Sequence, residues 1–260
     1  MRRRPPAPDP GGAGKTRLDQ ALVERGLAES RARAQALILA GTVFSDSRRL
    51  DKPGHAVTAA TALEVRSRDH PWVSRGGVKL AYGIDHFRID PAGLTCLDVG
   101  ASTGGFTDVL LAGGARRVYA VDVGHGQLAW RLRTDPRVVV LERTNARDLS
   151  RAMVPEPVDL IVCDVSFIGI ETALPAALAL AAPDALLVAL IKPQFEAGRS
   201  DVGSGGVVRD AAVRQRVCER ILAWLAAQSG WSVIGTTESP ITGPHGNIEV
   251  LLAGRRRGNP

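Results

Sequence analysis

Between Gly93 and Gly254 apolar runs alternate with turn residues: LTCLDV, RVYAVDV, RVVVLE, VDLIVCDV and LLVALI each end at a turn signal and give way to a helical stretch. Short apolar runs with little polar alternation predict strands buried on both faces. Strand, loop and helix repeated in this order predict a mostly parallel sheet covered by helices, an α/β fold. WSVIGT and NIEVLLAG, joined by ESPITGPHG, predict a closing antiparallel edge pair. The earlier part of the chain has a different pattern. TRLDQALVERGL brings Leu18, Ala21, Leu22 and Val23 near one helical face, and Ser30 is placed to cap a second helix, RARAQALILAG, ending at Gly41. The short β-like pieces TVFSD and ALEVRS flank the turn-rich DKPGH. The expected organisation is a disordered tail over 1–15 and a small α+β unit over 16–67. A joining segment and the start of the second domain follow over 68–83, then the α/β domain over 84–256 and a short tail over 257–260.

Charge sharpens this division. Through Arg75 there are 14 Lys and Arg against 8 Asp and Glu, and from Gly76 onward 19 against 19, so the basic excess of +6 lies in the first third. A small basic unit joined to a neutral body points to a unit that holds a polyanion while the body does chemistry. Cys96, Cys163 and Cys218 are far apart and match neither a metal spacing nor a disulfide framework, so no metal and a cytoplasmic setting are expected. The N-terminal MRRRPPAPDPGGAGK has no apolar stretch behind its charges and does not read as a signal peptide. The longest apolar region, ALPAALALAAPDALLVALI, is cut by Pro183 and Asp184, and no membrane segment is expected.

Candidate chemistry gathers at the predicted strand ends. DVGASTGGFTDVLL, from Asp98, follows the first strand and opens a helix, with glycines at 100, 104 and 105 that allow a tight turn and close ligand approach. It is neither GxGxxG nor GxxxxGK, which disfavours dinucleotides and phosphoryl transfer. Asp122 ends the second strand and Asp148, in NARDL, follows the third. Three acids at successive strand ends suit a ligand with ribose hydroxyls and amino groups but no phosphate, which is S-adenosyl-L-methionine. Asp164 ends the fourth strand and Lys192 the fifth. Parallel neighbours lie about 4.8 Å apart, so their side chains can meet at this edge. Glu249 is expected on the last strand and Lys79 just ahead of the sheet domain. Two lysines and two carboxylates in one cleft carry no net charge. A carboxylate beside Lys192 favours its ammonium, whereas burial and a second lysine favour the amine that can take a proton from a hydroxyl. The alternative is that the four form separate surface ion pairs. GRSDVGSGGVVRD, from Gly198, is expected to form a loop near the substrate.

SRGGVKL, LDVGASTGGFTDVLL, VDVGHGQLAW, LERTNARDL, DVSFI, IKPQFEAG, GGVVRD and GPHGNIE together resemble the TlyA, or hemolysin A, family of S-adenosylmethionine-dependent ribosomal RNA cytidine 2′-O-methyltransferases. The resemblance implies a Rossmann-like class I methyltransferase domain with a seven-stranded, mostly parallel sheet, like that of the FtsJ RNA methyltransferases. It implies a catalytic tetrad of Lys79, Asp164, Lys192 and Glu249. For the cofactor it implies Asp98, Gly100, Ser102, Thr103, Gly104, Gly105, Phe106, Asp122 and Asp148, with Asp164 also facing it. RLDQALVERGLAESRARAQALILAG is similar to the small RNA-binding domain of ribosomal protein S-four, which implicates Arg17, Arg31, Arg33, Arg48 and Arg49 in phosphate contact. HPWVSRGG resembles the interdomain linker, where Trp72 and Arg75 would couple RNA binding to cofactor binding. The implied partner is ribosomal RNA or a ribosomal subunit, met by a monomer. A non-enzymatic RNA-binding assembly factor and a membrane-active hemolysin are the rival functions.

Overall fold

The computed structural model describes residues 15–39, 41–46, 48–65, 70–243 and 246–258. The expected tail up to residue 14, the joining residues 66–69, Pro244 and His245 of the last loop, and the final two residues lie outside these. The chain divides into two compact units, Met1–Pro71 and Trp72–Pro260.

In the first unit, β1 (Thr16–Arg17) leads into α1 (Leu18–Glu24), and α2 (Arg31–Leu39) packs against it. Ser30 caps α2 as its sequence position predicts, its Oγ accepting the Arg33 N–H at 3.2 Å. β2 (Val43–Ser45), β3 (Arg48–Arg49) and β5 (Glu64–Val65) form a three-stranded antiparallel sheet, while β4 (Ala56–Val57) pairs with β1. Leu18, Leu22, Ala34, Ile38 and Val43 are fully buried in its core. Each such large aliphatic side chain contributes about 1.5–3 kcal/mol. Val23, placed on the apolar face by its spacing, is only partly buried, and Asp19 takes a buried position instead.

The second unit opens with α3 (Arg75–Phe87), so Lys79 lies within a helix of this unit. The sheet order is β11-β12-β10-β9-β6-β7-β8, with β6 (Thr95–Val99), β7 (Arg117–Val121), β8 (Val138–Leu141), β9 (Val158–Cys163) and β10 (Ala181–Ile191) parallel. β12 (Val250–Arg256) runs antiparallel between β10 and the edge strand β11 (Trp231–Glu238). Helices α4 (Gly105–Ala112) and α5 (Ala211–Ala227) are among those covering it. Residues such as Leu97, Leu160, Ile161, Val162 and Leu187 are fully buried, as expected for strands covered on both faces. α3 approaches β10 and β12 at Gly83, where an added Cβ would meet Leu251 at 3.3 Å and Val188 at 3.5 Å.

The strand carrying Lys192 starts earlier than its apolar run LLVALI indicates. Asp184, with φ 62, breaks the register between Ala181 and Leu186, so Pro183 sits at an irregularity of the strand rather than ahead of it. Glu249 immediately precedes the last strand instead of lying on it. Register still places it well, because Ile191 pairs with Val250 and the next antiparallel positions are Lys192 and Glu249.

Candidate active site

The first strand delivers the chain to Gly100, whose φ of 88 is a glycine conformation. A Cβ there would lie 3.0 Å from the Asp164 carbonyl oxygen, so the loop crosses the end of β9 in close backbone contact. Asp122, just beyond β7, ties this loop to the next: Oδ2 accepts the Ser102 N–H and Oδ1 the Gly124 N–H, both at 2.7 Å. A cleft of about 470 Å³ opens here, lined by Gly100, Ser102, Asp122, Val123, Gln127, Thr144, Asn145, Ala146 and residues 164–168. Among the described residues, none of those lining it is a lysine or arginine.

Not every expected cofactor residue faces this space. Asp98 is fully buried, and its Oδ2 accepts the Thr107 N–H at 2.9 Å and hydroxyl at 2.6 Å, fastening the start of α4 to β6. Burial pushes its carboxyl up to about 7, opposed by the Thr107 hydrogen bonds and reinforced by the Asp164 charge. Gly104, with φ 94, is packed under Leu128 and Leu132, and a Cβ would meet Leu132 at 2.3 Å. Asp148 is exposed in a single helical turn, Ala146–Asp148, and does not line the cleft. Asn145 caps that turn by accepting the Arg147 N–H, and with Thr144 and Ala146 it supplies the wall assigned to the acid three residues on. Thr103, Gly105 and Phe106 line a chamber of about 170 Å³ next to the cleft, shared with Ser74, Lys79, Asp164, Ser166 and Lys192.

The four tetrad residues form two ion pairs. Lys79 Nζ donates to Glu249 Oε2 at 2.5 Å, and Lys192 Nζ lies 2.6 Å from Asp164 Oδ1 while donating to Ser166 Oγ at 2.9 Å. Lys79, Lys192 and Glu249 are buried, so these are not the surface pairs of the alternative reading. The second carboxylate oxygen of Glu249 accepts from Gln194 Nε2 at 3.3 Å. Glu249, Lys192 and Gln194 also line a third space of about 440 Å³ with Ser166, Phe167, Phe195, Gly205, Gly206 and Asn247. Ser166 and Phe167 belong to both the cleft and this pocket. Asn247 holds the glycine loop over it, Oδ1 accepting from Val208 N–H at 3.1 Å and Nδ2 donating to Gly206 O at 2.9 Å. Ser166, Phe167, Gln194, Phe195 and Asn247 all stand beside tetrad residues in DVSFI, IKPQF and GNIE, the motif positions that sequence reasoning passed over.

In the first unit, Arg17 and Arg31 converge on the buried Asp19, with Arg17 Nε and Arg31 Nε each 3.0 Å from it and Gln35 Nε2 at 2.9 Å. Arg17 above all, countered by burial and helped by Gln35 and Arg31, holds the Asp19 carboxyl well below the usual range. Arg33, Arg48 and Arg49 are exposed, and Arg48 borders a 370 Å³ pocket with His55 and Thr61. Arg75 belongs to the second unit and donates to the Thr242 carbonyl at 2.9 Å.

A model of FtsJ-like methyltransferases matches residues 72–256, and an S4 domain model matches residues 16–61. The chain belongs to the FtsJ-like methyltransferase family. Within that methyltransferase family it is 52% identical over 241 residues to the 16S/23S rRNA (cytidine-2′-O)-methyltransferase TlyA of Mycobacterium tuberculosis, covering 92% of this chain and 90% of that protein. It is 42% identical to Hemolysin A of Brachyspira hyodysenteriae, over 90% of this chain and 98% of that one. Among solved structures, a hemolysin candidate from Streptococcus thermophilus matches with TM-score 0.73 and 40% identity, over 96% of this chain and 91% of that chain. An O-methyltransferase of Bacillus cereus, solved with SAH, shares the fold at TM-score 0.50 and 18% identity, covering 73% and 83% of the two chains. The Rossmann-like α/β expectation holds. Among the described residues no helix is long and apolar enough to cross a membrane, and no cluster of His, Cys, Asp and Glu could hold a metal ion.

Proposed function

We propose that this methyltransferase moves the methyl group of S-adenosyl-L-methionine to the ribose 2′-hydroxyl of cytidine in ribosomal RNA. The observation that carries this reading is the Lys192–Asp164 pair, which stands where the cleft, the small chamber and the aromatic pocket meet. The relatives' printed activity and the S4 domain match support the choice of substrate.

The cleft suits the cofactor. It has the Asp122 carboxylate at a strand end, a loop that Gly100 lets lie close against the end of β9 and, among the described lining residues, no basic group to prefer a phosphate. Asp122 would hold the ribose hydroxyls, Thr144 to Ala146 the adenine side, and the Gly100–Phe106 loop with Asp164 the cationic end. When bound, the cofactor supplies a methyl group already activated on a sulfonium.

The chain's own work concerns the acceptor. Phe167 and Phe195, with ring centroids 4.9 Å apart, give the outer pocket an aromatic wall against which a base removed from its stack would lie. Lys192 orients the 2′-hydroxyl and, as the free amine, takes its proton from oxygen onto Nζ while Asp164 and Ser166 hold the side chain in place. Proton acceptance by a positioned group is worth about 10²–10⁴-fold in rate. Lys79 lines the chamber and Glu249 the outer pocket, and their ion pair ties the two walls together. The exposed arginines of the small basic unit supply phosphate contacts. The chain is expected to act as a monomer in the cytoplasm.

The test is transfer of tritiated methyl from S-adenosylmethionine to purified ribosomal subunits, with the modified nucleotide mapped. Lys192→Ala is expected to abolish transfer and leave cofactor affinity within about threefold. Near-normal turnover in that variant would remove Lys192 from the reaction, and no transfer by the unaltered chain would refute the function.

A further inference from the structure

Two segments at strand ends carry the reacting groups. Residues 164–170, a loop that runs into the helical turn Ile170–Ala173, bear Asp164, Ser166 and Phe167, and residues 192–197, built around the helical turn Pro193–Glu196, bear Lys192, Gln194 and Phe195. Three contacts join these segments on the side facing the cavities, the Lys192–Asp164 pair, the Lys192–Ser166 hydrogen bond and the Phe167–Phe195 ring contact. A fourth contact joins them outside the cavities. Glu196 Oε1 accepts the Ile170 backbone N–H at 2.8 Å.

Glu196 does not line the cleft, the chamber or the outer pocket, and its side chain is only 3% exposed. A Cβ on Gly169 would come within 3.0 Å of its other oxygen, so the loop is seated directly against the carboxylate. Burial pushes the Glu196 carboxyl above its ordinary range. Arg220 on α5 supports it, Nη2 donating to Glu196 O at 2.9 Å and lying 3.4 Å from Oε2, while Nη1 donates to Glu171. A buried carboxylate is a costly way to fill space, and an apolar side chain would do so more cheaply. What an apolar side chain cannot do is accept a hydrogen bond from Ile170 N–H. Phe167 gives that bond a purpose: its φ of 66 is unusual for a bulky residue and persists only where surrounding structure over-determines the loop.

We propose that Glu196 is a positioning residue for methyl transfer. It registers the 164–170 segment against the helical turn Pro193–Glu196 that follows Lys192, setting Phe167 and Ser166 relative to Lys192, with Arg220 as its support. The inference rests on the acceptor-pocket reading above and adds a residue that touches neither cofactor nor acceptor.

The experiment compares the full-length chain with Glu196→Ala, Glu196→Gln and Arg220→Gln in methyl transfer to ribosomal subunits, with cofactor Kd from calorimetry and Tm for each. Glu196→Ala is expected to lower kcat about tenfold or more, since small misplacements of reacting groups have effects of that order. Its cofactor Kd should stay within about threefold. Glu196→Gln keeps the acceptor oxygen and should retain at least roughly a third of the wild-type kcat. Arg220→Gln, an exposed position, should lose kcat several-fold with its fold intact, and it decides the matter together with Glu196→Gln if the alanine variant does not fold. Wild-type kcat in Glu196→Ala or Arg220→Gln overturns the proposal. Equal losses in the alanine and glutamine variants overturn the hydrogen-bond role, and a kcat loss matched by the same loss of cofactor affinity shows a merely structural one. Failure of the unaltered chain to transfer methyl overturns the functional reading itself, and is separately visible because it needs no variant.

Discussion

Removing one member of the Lys79–Glu249 pair separates stability from chemistry. The two side chains meet at 2.5 Å, with Lys79 at 9% and Glu249 at 0% side-chain exposure, so either one left alone is a charge away from water. Breaking a buried pair from one side costs about 3–5 kcal/mol, whereas replacing both members by apolar groups of similar volume is often neutral. Glu249→Leu therefore loses on the order of 3 kcal/mol or more, and Lys79→Met loses somewhat less because Gln194 Nε2 still donates to Glu249. For a unit of this size a loss of about 3–5 kcal/mol corresponds to a fall in Tm of roughly 6–20 °C. The double variant Lys79→Met with Glu249→Leu is expected to recover most of the stability and none of the methyl transfer. Urea denaturation gives the stabilities, and tritium transfer to ribosomal subunits gives the activity. A double variant no more stable than Glu249→Leu would show that the two charges do not act as a buried pair. One with wild-type turnover would show that the pair lies outside the machinery.

Further outcomes follow from the other placements. Asp98 is raised to about 7 in the folded unit by burial, so its proton-bound form favours the folded state. That contribution is fully present below the unfolded carboxyl range near 4 and is lost as pH rises to about 7, a change on the order of a few kcal/mol. Asp98→Asn, which can still accept from Thr107, should flatten the pH dependence of Tm over this window. An unchanged slope would mean that Asp98 is not the titrating group. Asp122→Ala should weaken cofactor binding in calorimetry by about tenfold or more, through loss of its hold on Ser102 and Gly124. Asp148→Ala, at an exposed position outside the cleft, should alter it less than about twofold, and a larger effect would restore Asp148 to the site. Arg48→Ala and Arg49→Ala should each reduce the salt slope of RNA binding by about one unit if each meets a phosphate. Asp19→Ala should instead lower the stability of the small unit, because it leaves Arg17 and Arg31 without their common acceptor.

How much of this could be read from the sequence depended on whether the signal was local. The strands showed as apolar runs because both faces of the sheet are covered, and Asp164 and Lys192 showed as charges that end such runs. Glu249 could be paired with them only through its motif. Its position opposite Lys192 is a property of the antiparallel register set by Ile191 and Val250, which no residue pattern states. The same limit explains why the acids differ in placement. Asp98, Asp122 and Asp148 look equivalent as carboxylates at strand ends, yet one is turned inward onto Thr107, one bridges two loops at the cleft, and one points to solvent. Strand alternation and a single turn of helix decide among these outcomes, and each depends on a shift of one or two residues.

Arg17 and Arg31 carry the argument to the small unit. A basic count treats every arginine as available to RNA, but here two of them share a buried aspartate that sequence marks only as one acid in RLDQAL. Their guanidiniums are about half exposed, so each can still offer donors outward from a position that Asp19 has fixed. Local charge is thereby reduced while geometry is improved, the condition in which an arginine loses little freedom on meeting a phosphate. Long-range attraction is expected from exposed residues such as Arg33, Arg48 and Arg49. We expect the arginines fixed by Asp19 to give register and the exposed ones to give attraction when the basic unit meets RNA. Salt should therefore weaken binding mainly through the second group.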